Sequence, residues 1–104
     1  MPVDIDPDKM EEIQNSEDYW VVDFWAEWCG PCKKLKPVFK EVSEEIDDVR
    51  FGKVDMEEES DLGTQFGVRA LPTILILKDG EETARTSGAM PKQKLKSWIE
   101  ENTA

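Results

Sequence analysis

Histidine is absent from this 104-residue chain, and cysteine occurs only twice, at Cys29 and Cys32. A structural zinc site takes four ligands, so these two thiols make at most half of one, and no metal site is expected within the chain. Long apolar runs are missing too. None approaches the roughly 20 residues of a membrane span. The opening Met1-Pro2-Val3-Asp4-Ile5-Asp6 has neither the basic nor the apolar region of a signal peptide. That predicts a cytoplasmic location, where thiols are kept reduced and a permanent disulfide is disfavoured. No Gly-x-Gly-x-x-Gly stretch occurs, so there is no fingerprint for a nicotinamide or flavin. Positive charge is scarce: 13 basic residues face 24 acidic ones, a net charge of −11. Ten acids against Arg50 and Lys53 between Glu41 and Asp61 supply −8 of it. Such acidity repels nucleic acid and anionic membrane, and neither is expected as a partner. Repeats, linkers and low-complexity tracts are also lacking, and the length fits one domain over residues 1–104.

What the chain does contain is Trp25-Ala26-Glu27-Trp28-Cys29-Gly30-Pro31-Cys32-Lys33, which follows an apolar run and opens an amphipathic one. A Cys-x-x-Cys pair at a strand-to-helix junction reads as a dithiol/disulfide redox site. The first N–H groups of a helix have no partner inside it, and the dipole places partial positive charge there. A thiolate at Cys29 would be stabilised by that end, and so would be nucleophilic near neutral pH. Pro31 suits the first helical turn, where a missing N–H costs little, and Gly30 frees the turn. A static disulfide over so short a loop would staple little of the chain.

Tyr19 to Trp25 is nearly continuous apolar sequence, which predicts a central strand buried on both faces. Asp23 breaks that run: a carboxylate on such a strand is neutral, partnered or functional. The helix after the cysteines carries Leu35, Val38, Phe39, Val42 and Ile46 on one core-facing stripe. Its charges run against the dipole, with Lys33, Lys34 and Lys36 early and Glu41, Glu44, Glu45 and Asp47 late. Each such placement opposes the helix by about 0.3–1 kcal/mol. Lysines beside Cys29 would favour its thiolate, and a helix that breaks a local rule at this point invites a functional reason. Further strands are expected over Val49–Asp55, Thr73–Leu77 and Glu82–Ser87, the last two joined by the Asp79-Gly80 turn. Helices are expected from Asp6-Pro7, over Glu58–Phe66, and from Pro91. The predicted order is β-α-β-α-β-α-β-β-α, with parallel crossovers first, then an antiparallel hairpin and a closing helix. In an open α/β sheet the reactive site lies beyond the carboxyl ends of the strands, where the cysteines fall.

By these residues the chain resembles the thioredoxin family. Val22-Asp23-Phe24-Trp25-Ala26-Glu27-Trp28-Cys29-Gly30-Pro31-Cys32-Lys33 is similar to the family's active-site signature, and Leu71-Pro72-Thr73, Lys78-Asp79-Gly80 and Gly88-Ala89 match its later landmarks in order and spacing. The Gly-Pro between the cysteines is the specific part, since glutaredoxins usually carry Pro-Tyr there and disulfide isomerases Gly-His. The resemblance implies a three-layer α/β/α fold, with a mixed sheet of central parallel strands and a C-terminal hairpin.

For function, the resemblance implies a monomeric protein-disulfide reductase that binds no cofactor and is recycled by a thioredoxin reductase. Cys29 would attack the substrate disulfide and Cys32 would resolve the mixed disulfide. Asp23 would assist proton transfer at Cys32, with Lys53 nearby to tune it. Pro72 would be cis and face the cysteines. Trp28, Met56, Ala70, Leu71, Pro72, Gly88 and Ala89 would form the rim that receives the substrate segment. Ala70 stands where glycine is frequent and Ser87 where an apolar residue is usual, which bears on partner choice. Two other functions fit the cysteine count: a redox-independent binding module in a larger assembly, or a metal or iron–sulfur carrier bridging two chains.

Overall fold

A computed structural model describes all of residues 1–104. The elements are β1 (Val3–Asp4), α1 (Pro7–Gln14), β2 (Tyr19–Trp25), α2 (Gly30–Glu45), β3 (Arg50–Asp55), α3 (Ser60–Gln65), β4 (Thr73–Lys78), β5 (Glu81–Ser87) and α4 (Lys92–Asn102). The order matches the expectation. The five strands form one sheet in the order β1-β3-β2-β4-β5, with β2 at its centre.

One expectation needs correcting. The parallel block is β1-β3-β2, whereas β4 pairs with β2 antiparallel, Val22 opposite Leu75. The α3 crossover therefore does not return a parallel strand. The apolar run Thr73–Leu77 packs equally well in either direction, so pattern alone carries no strand polarity. Helix α3 is also shorter than Glu58–Phe66. The Asp55 carboxylate accepts the Glu57 N–H at 2.9 Å and the Asp55 carbonyl accepts that of Glu59 at 2.8 Å. This turn holds the acidic run out of the helix until Ser60.

Side chains alternate across the sheet, and that alternation builds two cores. Trp20, Val22 and Phe24 of β2, with Leu75 and Leu77 of β4, pack with Met10, Ile13 and Leu62 from α1 and α3. Val21, Ile74 and Ile76 face the other way, against Leu35, Phe39 and Val42 of α2 and Leu95 and Ile99 of α4. Asp23 shares the parity of Val21, and so lies on the α2 side of the central strand. Lys53 shares the parity of Phe51 on the same side, and the register sets it beside Asp23.

Candidate active site

Strand β2 ends at Trp25, and four residues later Cys29 stands as the N-cap of α2. Cys29 is extended, with φ −92° and ψ 110°, as an N-cap must be, and the next two positions are Gly30 and Pro31. Cys32 lies in the first turn, joined to Cys29 by a disulfide with Cα atoms 5.2 Å apart. The Cys29 sulfur accepts the Cys32 N–H at 3.2 Å. That is the place a serine or aspartate oxygen takes in an ordinary N-cap. A sulfur there meets an amide dipole and the positive end of a 16-residue helix. Once the disulfide opens, both favour thiolate over thiol.

Both sulfurs sit in a small apolar cluster with buried Ala26, closed at its sides by half-buried Trp25 and Leu71. Trp28 is its opposite, with 72% of its surface in water. The Leu71–Pro72 peptide bond is cis, as the resemblance implies, and Pro72 itself is buried. The Pro72 carbonyl accepts the Gly88 N–H at 2.9 Å. Thr73 Oγ1 donates to the Ala70 carbonyl and also lies 3.2 Å from Ser87 Oγ. The Ala70–Thr73 bend is thus fastened to the end of β5 at two points. Ser87, unexpected by family pattern, finds its polar partner here. Ala70 and Ala89 are exposed and Gly88 is half-buried. Gly88 has φ +91°, a conformation that disfavours any side chain. Met56 stands apart from the cysteine cluster and packs on the α1/α3 core, its thioether over Gly63.

Asp23 is only 4% exposed, and its Oδ1 has no hydrogen-bond partner. Burial pushes its carboxyl up from 3.8 to about 7, against an opposing pull from Lys53. Desolvation outweighs the pull of Lys53, which also pairs with Asp4 at 3.7 Å and leans over the Trp25 ring, 6.0 Å from its centroid. Asp23, Lys53 and Cys32 line one pocket of about 490 Å³ behind the disulfide. A carboxyl near neutrality, facing the same pocket as a thiol, is suited to holding or releasing a proton there.

The family model for thioredoxin matches residues 5–101, nearly the whole chain. The chain belongs to the thioredoxin family. Curated relatives agree. The thioredoxin of Rickettsia typhi is 42% identical over 89 residues, 85% of each chain. That of Mycoplasma genitalium is 39% identical over 87 residues, 84% of this chain and 85% of the relative. Among solved structures, the thioredoxin of Malassezia sympodialis (Mala s 13) superposes with a TM-score of 0.88 at 33% identity, covering 100% of this chain and 92% of that one.

As a member of this family with a bonded Cys29–Cys32 pair, the protein is a thiol–disulfide oxidoreductase acting on protein disulfides. The structure packs Leu71 against Cys29 and Cys32, sets Asp23 beside Lys53 on paired strands, and brings both to the pocket that Cys32 lines. Sequence reasoning passed over Trp25, whose ring packs on the cysteine cluster while Lys36 and Lys53 lie 5.7 and 6.0 Å from its centre. Its place at the end of the central strand, four residues before Cys29, was the available signal. The Thr73–Ser87 pair was also missed, because its partners are 14 residues apart on paired strands.

Proposed function

We propose that the protein carries electrons to protein disulfides, with Cys29 as the attacking thiol and Cys32 as the resolving one. The observation that carries this assignment is the Cys32 N–H donated to the Cys29 sulfur at the helix end. The Cys29 thiolate attacks one sulfur of the substrate disulfide. A Cys29–substrate bond forms, the substrate S–S bond breaks, and the departing sulfur takes up a proton. Cys32 then gives up its proton, for which the Asp23 carboxylate in the shared pocket is the acceptor. Its thiolate displaces the second substrate sulfur from Cys29, and that sulfur is protonated in turn. Two electrons and two protons reach the substrate, and the Cys29–Cys32 disulfide remains. Lys53, beside Asp23, keeps that carboxyl from rising further.

The exposed Trp28 indole, with Leu71, Pro72, Gly88 and Ala89, offers an apolar and backbone surface on which an extended substrate segment can lie. Ala70, exposed beside Leu71, flanks it, whereas Met56 packs on the α1/α3 core. A thioredoxin reductase closes the cycle in the cytoplasm, with the protein acting as a monomer and without a cofactor of its own. The stoichiometry of a single turnover tests this reading. Reduced protein mixed with a small uncharged disulfide should convert one equivalent, and peptide mapping should find Cys29 bonded to Cys32. Turnover with no such bond, or none at all, would refute it.

A further inference from the structure

Of the 13 bases, Lys9, Arg50, Lys53, Arg85, Lys92 and Lys96 have a carboxylate within 4 Å and the other seven do not, Lys33, Lys36 and Lys40 among them. The spacing of three and four residues puts Lys33, Lys36 and Lys40 on one face of α2, and all three border the pocket that Cys32 and Lys53 line. At 1.5 Å per residue the track runs about 12 Å from Cys32 to Lys40. It is bounded by negative charge. Glu44 follows one turn after Lys40, and on the other flank Lys36 and Lys53 border a cleft with Asp4, Asp6, Asp55, Glu58 and Glu59. In the pocket that the three lysines share, the carboxyls are Glu27 and Asp23, the latter raised by burial to about 7.

The placement is costly for the helix, because cations at its first turns oppose the dipole and nearby acids that could neutralise them do not. Its effect is to gather three lysines without ion-pair partners along one strip beside Cys32, in a chain whose net charge is −11. We propose that the Lys33–Lys36–Lys40 track is the docking surface for an acidic segment flanking the target disulfide of partner proteins. The proposal rests on the reductase reading above and adds the charge class of its partners. An acidic partner is repelled elsewhere and held only where its disulfide faces Cys29. Charge thereby selects orientation as well as partner.

Three disulfide peptides of equal length, flanked by Glu, Ser or Lys, test it in steady-state reduction with dithiol recycling at low and at high salt. For the wild type, KM for the Glu peptide should lie about fivefold or more below that for the Ser peptide at low salt, and the gap should close in about 0.5 M salt. The Lys33→Gln/Lys36→Gln/Lys40→Gln variant should lose that gap through KM, any change in Cys29 reactivity appearing equally on the Glu, Ser and Lys peptides and on an uncharged disulfide. The corresponding triple Arg variant should keep it. Equal KM values for the three peptides in the wild type, an unaltered gap in the Gln variant, or a gap lost in the Arg variant would overturn the docking track. Failure of the wild type on the uncharged disulfide would instead strike the reductase reading beneath it.

Discussion

Cys29→Ser should abolish disulfide reduction, leaving only the background rate of the recycling dithiol, while Cys32→Ser should stall after half a turnover. The asymmetry follows from position. Cys29 caps α2, where its sulfur receives an N–H from the helix, while Cys32 lies inside the first turn and is the more deeply buried of the two. With serine at position 29 no thiolate stands at the helix end, and the remaining thiol is shielded from a protein substrate. With serine at position 32 the first attack proceeds, but nothing displaces the second substrate sulfur. The mixed disulfide with Cys29 should then accumulate and be visible by intact mass. A Cys29→Ser variant that still turns over, or a Cys32→Ser variant that turns over like wild type, would reverse the roles.

Asp23→Asn should stabilise the fold at pH 7 while slowing the reaction. The folded chain holds the Asp23 proton more tightly than the unfolded chain, with a pKa of about 7 against an ordinary 3.8. Its contribution to stability is therefore complete below the unfolded value, declines as pH rises from about 4 to about 7, and stays lost above that. At about 1.4 kcal/mol per pKa unit the ionised carboxylate costs the fold roughly 4 kcal/mol. Asn removes the charge but leaves a buried amide that is poorly partnered, so the net gain at pH 7 should be about 1–3 kcal/mol. It should fade toward pH 4. The variant also lacks the carboxylate proposed to take the Cys32 proton, and reduction should slow by about tenfold or more. Asp23→Ala should slow the reaction similarly but gain less stability, because it opens a cavity. Denaturant melts from pH 4 to pH 8, with turnover measured alongside, check both halves. An Asn variant that is less stable at pH 7 and equally fast would make Asp23 an ordinary structural carboxylate.

Much of this site was legible in the sequence because its signals are local. The Cys-x-x-Cys, the proline in the first turn and the acid in an apolar strand are all read within ten residues. Burial of Asp23 followed from the run on either side of it, and the sheet order leaves β2 covered on both faces. Long-range partners were not legible. The antiparallel entry of β4, the hydrogen bond between Thr73 and Ser87, and the meeting of Lys36 and Lys53 at Trp25 each join residues on different elements. Ser87 shows the difference well. Its sequence marks it only as a departure from pattern, while the fold gives it a hydroxyl to bond and a bend to fasten. The lysines at the start of α2 read in the sequence as support for a Cys29 thiolate, and the fold adds that Lys33 and Lys36 share a pocket with Cys32.

The relative reactivity of the two thiols in the reduced protein bears most directly on the central assignment. Brief alkylation across pH 5 to 9, with the label quantified separately at Cys29 and Cys32 by peptide mapping, reads each thiolate in turn. Cys29 should label many times faster at neutral pH, with a midpoint below the ordinary cysteine value of about 8.5. Cys32 labelling faster than Cys29, or both titrating together near that ordinary value, would contradict the assignment of Cys29 as the nucleophile.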